Sequence, residues 1–221
     1  MVRRLSLLLL LAVVPWSSAL AADPTPVEIA KKIETFYKER PSIRAQFVQK
    51  VQKPGRRRIL EKSGNVFFER PGKMRWEYKA PEQVFYVSDG SVLWSYQVSD
   101  KLVTRLDVRS SELYHQSRYL FGQGDLSTDF NLAPGATPAP TGQTVIVLTP
   151  KTTSRDFKSL TLTVDTATGE IRGTVLVDPY DNVSTIDFQK VDFQKVDAKF
   201  FSFTPPADAT VRDLSKAPAT E

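Results

Sequence analysis

Residues 64–78 read GNVFFERPGKMRWEY, one pattern written twice around a proline-glycine break. In the first half the period of two sets Val66 and Phe68 on one side. In the second, Met74, Trp76 and Tyr78 alternate with Lys73, Arg75, Glu77 and Lys79. Such alternation belongs to half-buried strands with one wet face. Pro71 cannot donate to a ladder, so it ends the first run. The pattern extends outward: Ile43, Ala45, Phe47 and Val51 alternate with Arg44, Gln46, Lys50 and Gln52, and Leu160, Leu162 and Val164 with Thr161, Thr163 and Asp165. Strand-like runs also occupy residues 84–87, 92–96, 102–106, 145–148, 171–177 and 183–188. Asp89-Gly90 and Thr168-Gly169 are short-turn signatures, and 133–142, with three prolines and two glycines, predicts a longer mobile loop. One curved sheet or barrel of roughly ten antiparallel strands follows.

Two segments break the period. Thr25-Pro26-Val27-Glu28 fits a capping box with proline at the first helical position, and Ile29, Ile33, Phe36 and Tyr37 follow at helical spacing. A helix is predicted over 26–39, stopping where Arg40 precedes Pro41. Residues 110–121 put Leu113, Ser117, Leu120 and Phe121 on one helical face before Gly122. That short helix is either a cap on an open barrel end or a movable lid over a cavity. The pentapeptide DFQKV at 187–191 repeats at 192–196, a local duplication too brief for a solenoid. After Val211 no periodicity remains, which predicts a frayed tail.

Composition narrows the class. The chain has 221 residues, 41% apolar and 25% charged, ordinary for one domain or two small ones. Residues 5–14 are almost free of polar groups and follow Arg3 and Arg4. They are too few to span a hydrocarbon core about 30 Å thick and read as a secretory signal. Ala19-Leu20-Ala21 places cleavage after Ala21, or next after Ala22. Without the two arginines, 28 bases face 25 acids, too mild an excess to argue nucleic acid. With no cysteine, an exported domain must hold by burial alone and has no site for a lipid tether at its mature N-terminus. A soluble periplasmic product is expected.

Catalytic signals are missing. His115 is the only histidine, no acids recur at ligand spacing, and no G-x-S-x-G motif accompanies it. Neither metal nor cofactor is expected. Gly122-Gln123-Gly124 lacks the third glycine of a dinucleotide loop. The triplet Arg56-Arg57-Arg58 reads as a solvated loop or strand start, or as a contact for anionic headgroups or an acidic partner. Arg70 is the informative residue. If Val66 and Phe68 face inward, Arg70 shares their side, where a guanidinium needs either a wet rim or backbone carbonyls such as those ending the lid helix. Nearby Met74, Trp76, Tyr78, Trp94 and Tyr96 fill a core or line an apolar cavity.

GNVFFERPGKMRWEY, followed by VSDGSVLWSY at 87–96, resembles the LolA family of outer-membrane lipoprotein carrier proteins. Phe47-Val48-Gln49 and KFFSFTPP at 199–206 strengthen the resemblance, which runs from the first helix to about Asp213. It implies a mainly β, α+β fold: a half-open antiparallel barrel, or strongly curved sheet, of about ten to eleven strands with an N-terminal helix and a short helical lid. It divides the chain into a cleaved 1–21, one carrier domain over 22–213 and a tail over 214–221. It implies a carrier, not an enzyme, that shields lipoprotein acyl chains between inner and outer membranes. The cavity would be lined by Phe47, Val66, Phe68, Met74, Trp76, Tyr78, Trp94, Tyr96, Leu160 and Leu162. Ile33 and Phe36 would face it from the first helix, and Leu113, Leu120 and Phe121 would form the lid. In the family the arginine of the RP motif contacts lid backbone and holds the empty cavity shut; here that is Arg70. Partners implied are triacylated lipoproteins, an inner-membrane ATP-binding-cassette exporter and an outer-membrane lipoprotein receptor, with the protein a monomer. Met74 stands where the family has an apolar, often aromatic residue; the basic triplet, the DFQKV duplication and the proline-rich loop also depart from it. Two further classes are a sensory lipid-binding domain of an envelope-stress regulator, disfavoured by the single domain, and an enzyme on the same fold.

Overall fold

Thr25 opens the first helix in the way its spacing predicts. In the computed structural model, which describes residues 23–111, 113, 114, 117, 118, 124–135 and 138–215, the Thr25 hydroxyl accepts from the Glu28 N–H at 3.3 Å. The Glu28 carboxylate accepts from the Thr25 N–H at 2.7 Å. These bonds satisfy two of the donors a helix start leaves open, and they hold the Glu28 carboxyl below its ordinary pKa. Helix α1 spans Pro26–Lys38 and buries Ile29, Ala30, Ile33, Phe36 and Tyr37. Its far end is pinned to the turn at 166–170. The Tyr37 hydroxyl accepts from Ile171 N–H at 3.0 Å, and Lys32 Nζ donates to the Thr166 carbonyl at 2.8 Å. Gly169 (φ +86°) lets that turn approach, since a Cβ there would lie 2.7 Å from the Lys32 carbonyl.

The strands are β1 (Ser42–Gln52), β2 (Ile59–Glu69), β3 (Lys73–Ala80), β4 (Val84–Ser88), β5 (Val92–Gln97), β6 (Leu102–Asp107), β7 (Phe130–Pro134), β8 (Gln143–Pro150), β9 (Ser159–Asp165), β10 (Ile171–Val177), β11 (Val183–Asp192) and β12 (Thr210–Asp213). They form one curved, unclosed sheet in the order β12-β6-β5-β4-β3-β2-β1-β11-β10-β9-β8-β7. Two of the twelve are additions to the sequence reading. β7 begins ahead of the expected mobile loop and runs into its first two residues, and β12 takes in part of the expected frayed tail. β7 is five residues ending in proline, and β12 is four residues, all exposed, pairing parallel with β6. Neither is long enough to show a period.

Register fixes the two faces. Ala45, Val66, Trp76 and Tyr86 form one cross-strand row on the concave face, and Ile186, Thr174, Leu162 and Ile146 form another. Phe47, Gly64 and Tyr78 form a third. Here Gly64 sits at a register shift, and a Cβ on it would fall 2.0 Å from the Glu77 carbonyl oxygen, so only glycine fits. The convex face carries Arg75, Val87, Trp94 and Arg105 in one row and Phe85, Tyr96 and Val103 in the next. It is covered in turn. After the 3-10 turn Ala198–Phe201, Phe203 packs within 5.9 Å of both Trp94 and Tyr96, and Phe200 lies against Phe67.

The two DFQKV copies do different work. The first lies within β11, paired with β1. The second supplies Asp192 and Gln194, which accept from the Arg44 guanidinium at 3.1 and 2.8 Å, and Phe193, which meets the Phe36 ring edge-on at 5.3 Å.

Candidate functional site

The concave face is aromatic at its centre. Phe47 meets Trp76 at 4.9 Å and Tyr78 at 5.0 Å between ring centroids, both edge-on, and Phe68 meets Trp76 edge-on at 5.9 Å. These are the arrangements the ring quadrupoles favour. Phe47, Val66, Phe68, Met74, Trp76, Leu160 and Leu162 are all buried. Ile33 and Phe36 reach the same apolar cluster from α1.

Above this face lie four helical residues, Leu113, Tyr114, Ser117 and Arg118. They follow the 3-10 turn Val108–Ser110. Leu113 and Tyr114 pack against the apolar cluster, and Ser117 is buried. Tyr114 also seats on the β2–β3 turn: a Cβ on Gly72 would lie 2.9 Å from its hydroxyl. Arg118 pairs with Asp129 at 3.8 Å, reaching the short helix α2 (Leu126–Asp129). Glu34 of α1 accepts from the Leu126 N–H at the start of α2 at 2.9 Å. Leu120 and Phe121, expected in the lid, and His115 lie outside the described residues.

Between the lid residues and the sheet is a cavity of about 50 Å³, bounded by Trp76, Tyr78, Leu113, Ser117, Leu160 and Ile186 among others. That is room for a few waters and far short of an acyl chain. Gln49 and Tyr78 also line a second space of about 260 Å³, with Leu60, Lys62, Val84 and Tyr86, at the end of the sheet where β3 turns into β4. The space beneath Leu113 and Ser117 is therefore nearly filled, and the larger of the two spaces lies at that end. Its polar groups are few. Tyr78 donates to Gln49 Oε1 at 3.0 Å and Gln49 Nε2 to Ser184 at 2.8 Å. Burial raises the pKa of Tyr78 and of Tyr86. Trp76 differs: it is 1% exposed and its indole N–H has no acceptor among the described residues. An unmet buried donor costs about 1–3 kcal/mol.

Trp94 and Tyr96 do not belong to this interior. Leu93, between Val92 and Trp94, is the inward residue of β5, and both aromatics turn to the convex face beneath Phe203. Arg70 lies one residue past β2, in the turn rather than the strand. It is half-buried, its main-chain N–H donates to the Pro41 carbonyl at 2.9 Å, and burial lowers its guanidinium pKa. The turn it opens is the one against which Tyr114 rests. Among the described residues, no cluster of three or more His, Cys, Asp or Glu could hold a metal ion, and no helix is long and apolar enough to cross a membrane.

Fold and site together define a half-barrel with an apolar concave interior, against which Leu113 and Tyr114 pack. The chain belongs to the family of outer membrane lipoprotein carrier proteins, LolA, whose family model matches residues 39–204. An outer-membrane lipoprotein carrier protein of Nitrosomonas europaea is 30% identical over 205 residues, covering 91% of this chain and 97% of that protein. Its counterpart from Methylococcus capsulatus is 27% identical over 206 residues, covering 92% and 95%. Among solved structures, an uncharacterized conserved protein from Thermus thermophilus aligns with a TM-score of 0.55 over 84% of this chain and 97% of its own, at 13% identity. That last likeness is one of fold alone.

Proposed function

We propose that this protein is a periplasmic carrier that shields the acyl chains of lipoproteins and transfers them from the inner to the outer membrane without catalysing a reaction. Residues 1–21 direct export and are removed, residues 22–213 form the carrier domain, and residues 214–221 are a tail. An inner-membrane ATP-binding-cassette exporter loads the monomer, and an outer-membrane lipoprotein receptor unloads it. The carrying observation is the apolar, aromatic concave face beneath Leu113 and Ser117, with a small cavity under them and a larger space beside it where β3 turns into β4.

The physics asks for such a shape. An acyl chain of roughly 15 methylenes exposes about 12 kcal/mol of transfer free energy, at about 0.8 kcal/mol per methylene, so unaided release into water is negligible. A rigid open pocket would hold the cargo too tightly to deliver it. A lid that packs well when empty subtracts its own closing free energy from net affinity, which lets the cargo leave. The small cavity supports this reading, since an acyl chain does not fit beneath Leu113 and Ser117 as they stand.

Arg70 is the proposed latch. Arg70→Leu is expected to raise the open fraction about tenfold, in line with the loss of about 1.5 kcal/mol from one charge-assisted hydrogen bond. Hydrogen exchange at the amides of Leu113, Tyr114 and Ser117 measures it; unchanged exchange together with unchanged cargo transfer rejects the latch. The carrier function itself is tested by isolating the protein from the periplasm and identifying bound material by mass spectrometry. Acylated polypeptide is the expected result. Free phospholipid alone, or a small molecule that the protein turns over, would overturn it.

A further inference from the structure

We propose that the Trp76 indole N–H is a docking point for an acyl carbonyl oxygen, so that the cavity recognises acylated chains rather than bare hydrocarbon. The inference rests on the carrier reading and adds to it a polar contact inside an otherwise apolar site.

Indole can only donate. Trp76 Nε1 is buried without an acceptor among the described residues, on a side chain that lines the cavity beneath Leu113 and Ser117. The ring is fixed by its edge-on contacts with Phe47 and Phe68, so it cannot readily swing to find another partner. Gln49, the nearby amide, is already engaged by Tyr78 and Ser184. Among the described residues, no charged side chain lines this cavity. An entering carboxylate would therefore bring an unpaired charge into a dry site, which is strongly disfavoured. The acceptor that fits is neutral, compact and carried on an apolar body. An ester carbonyl at the head of a fatty chain has all three properties, and an amide carbonyl on an N-acyl chain shares its chemistry.

The test compares two synthetic peptides that differ only in the linkage of their two hexadecyl-length chains to an S-glyceryl cysteine: a dipalmitoyl diester and a dihexadecyl diether. Each competes against a fluorescent fatty probe for the full-length mature protein. The diester is expected to bind about tenfold more tightly, and the ¹⁵N-labelled Trp76 indole resonance to move downfield with the diester only. Trp76→Phe, which keeps an aromatic ring but removes the donor, is expected to bring the ratio close to one by weakening the diester alone. If that variant does not fold, the ratio and the indole shift in the unaltered protein decide. Equal affinities exclude the ester, and an indole that also stays unmoved with an N-palmitoyl peptide overturns the carbonyl contact and leaves the carrier reading standing. Failure of both peptides to bind overturns the carrier reading and this inference with it. A diether peptide bearing an N-palmitoyl amide separates the two carbonyl sources: an indole shift with it places the acceptor on the amide, and no shift with it, where the diester has given one, places it on the ester.

Discussion

Phe47→Ala is expected to lower folding stability by about 3–5 kcal/mol, the range for truncating a buried aromatic. The ring is 1% exposed and sits edge-on to both Trp76 and Tyr78. Across the ladder from it is Gly64, which has no side chain to move into the gap. The void left behind should thus persist rather than collapse, and the cost should fall toward the upper end. Urea denaturation of the two proteins side by side measures the loss. Phe47→Leu, which keeps most of the volume, should cost clearly less; equal losses would mean that the ring contacts, not the filled space, set the effect.

Raising the pH above 10 is expected to weaken the fold steeply. Tyr37 is 3% exposed, and burial raises its pKa above the ordinary value of about 10; Tyr78 and Tyr86 shift the same way for the same reason. In the unfolded chain all three lose their protons near pH 10, while in the folded chain they keep them. The native state therefore binds more protons in this window, so stability falls as pH rises. Each tyrosine contributes up to about 1.4 kcal/mol per pH unit until its folded-state pKa is reached. Urea midpoints measured at pH 8.5, 9.5, 10.5 and 11 should be flat at first and then drop. Tyr37→Phe should reduce the slope above pH 10. It should also lower stability at neutral pH by about 1–3 kcal/mol, because the Ile171 N–H loses its acceptor. An undiminished slope in that variant would show that Tyr37 ionises freely.

What could be read from the sequence was what local physics decides alone. The Thr25–Glu28 cap, the alternation around Phe47 and Trp76, and the glycine turns at Gly90 and Gly169 each depend on residues a few positions apart. Trp94 and Tyr96 were misplaced because a period of two tells that a strand has two faces, but not which one looks inward. Both faces of β4 and β5 carry apolar residues, since the segment bearing Phe200 and Phe203 covers the convex side. Only distant pairing resolves the choice. β12 was missed for a related reason: its one neighbour, β6, is joined to it by a parallel pairing between segments far apart in the chain. The cavity's size depends on how tightly the lid residues settle on Trp76 and Leu160, a matter of packing that no pattern encodes.

The seam at the centre of the sheet has a kinetic consequence. β1 pairs with β11, and contacts across that seam such as Arg44 to Asp192 join residues 148 positions apart. Apart from β12, each half of the sheet is a run of neighbouring hairpins that can assemble quickly, yet the raw borders of β1 and β11 stay unmatched until nearly the whole chain is present. Closing so large a loop before any reward is collected slows assembly. Until the halves meet, those two borders are where stray chains would most readily attach.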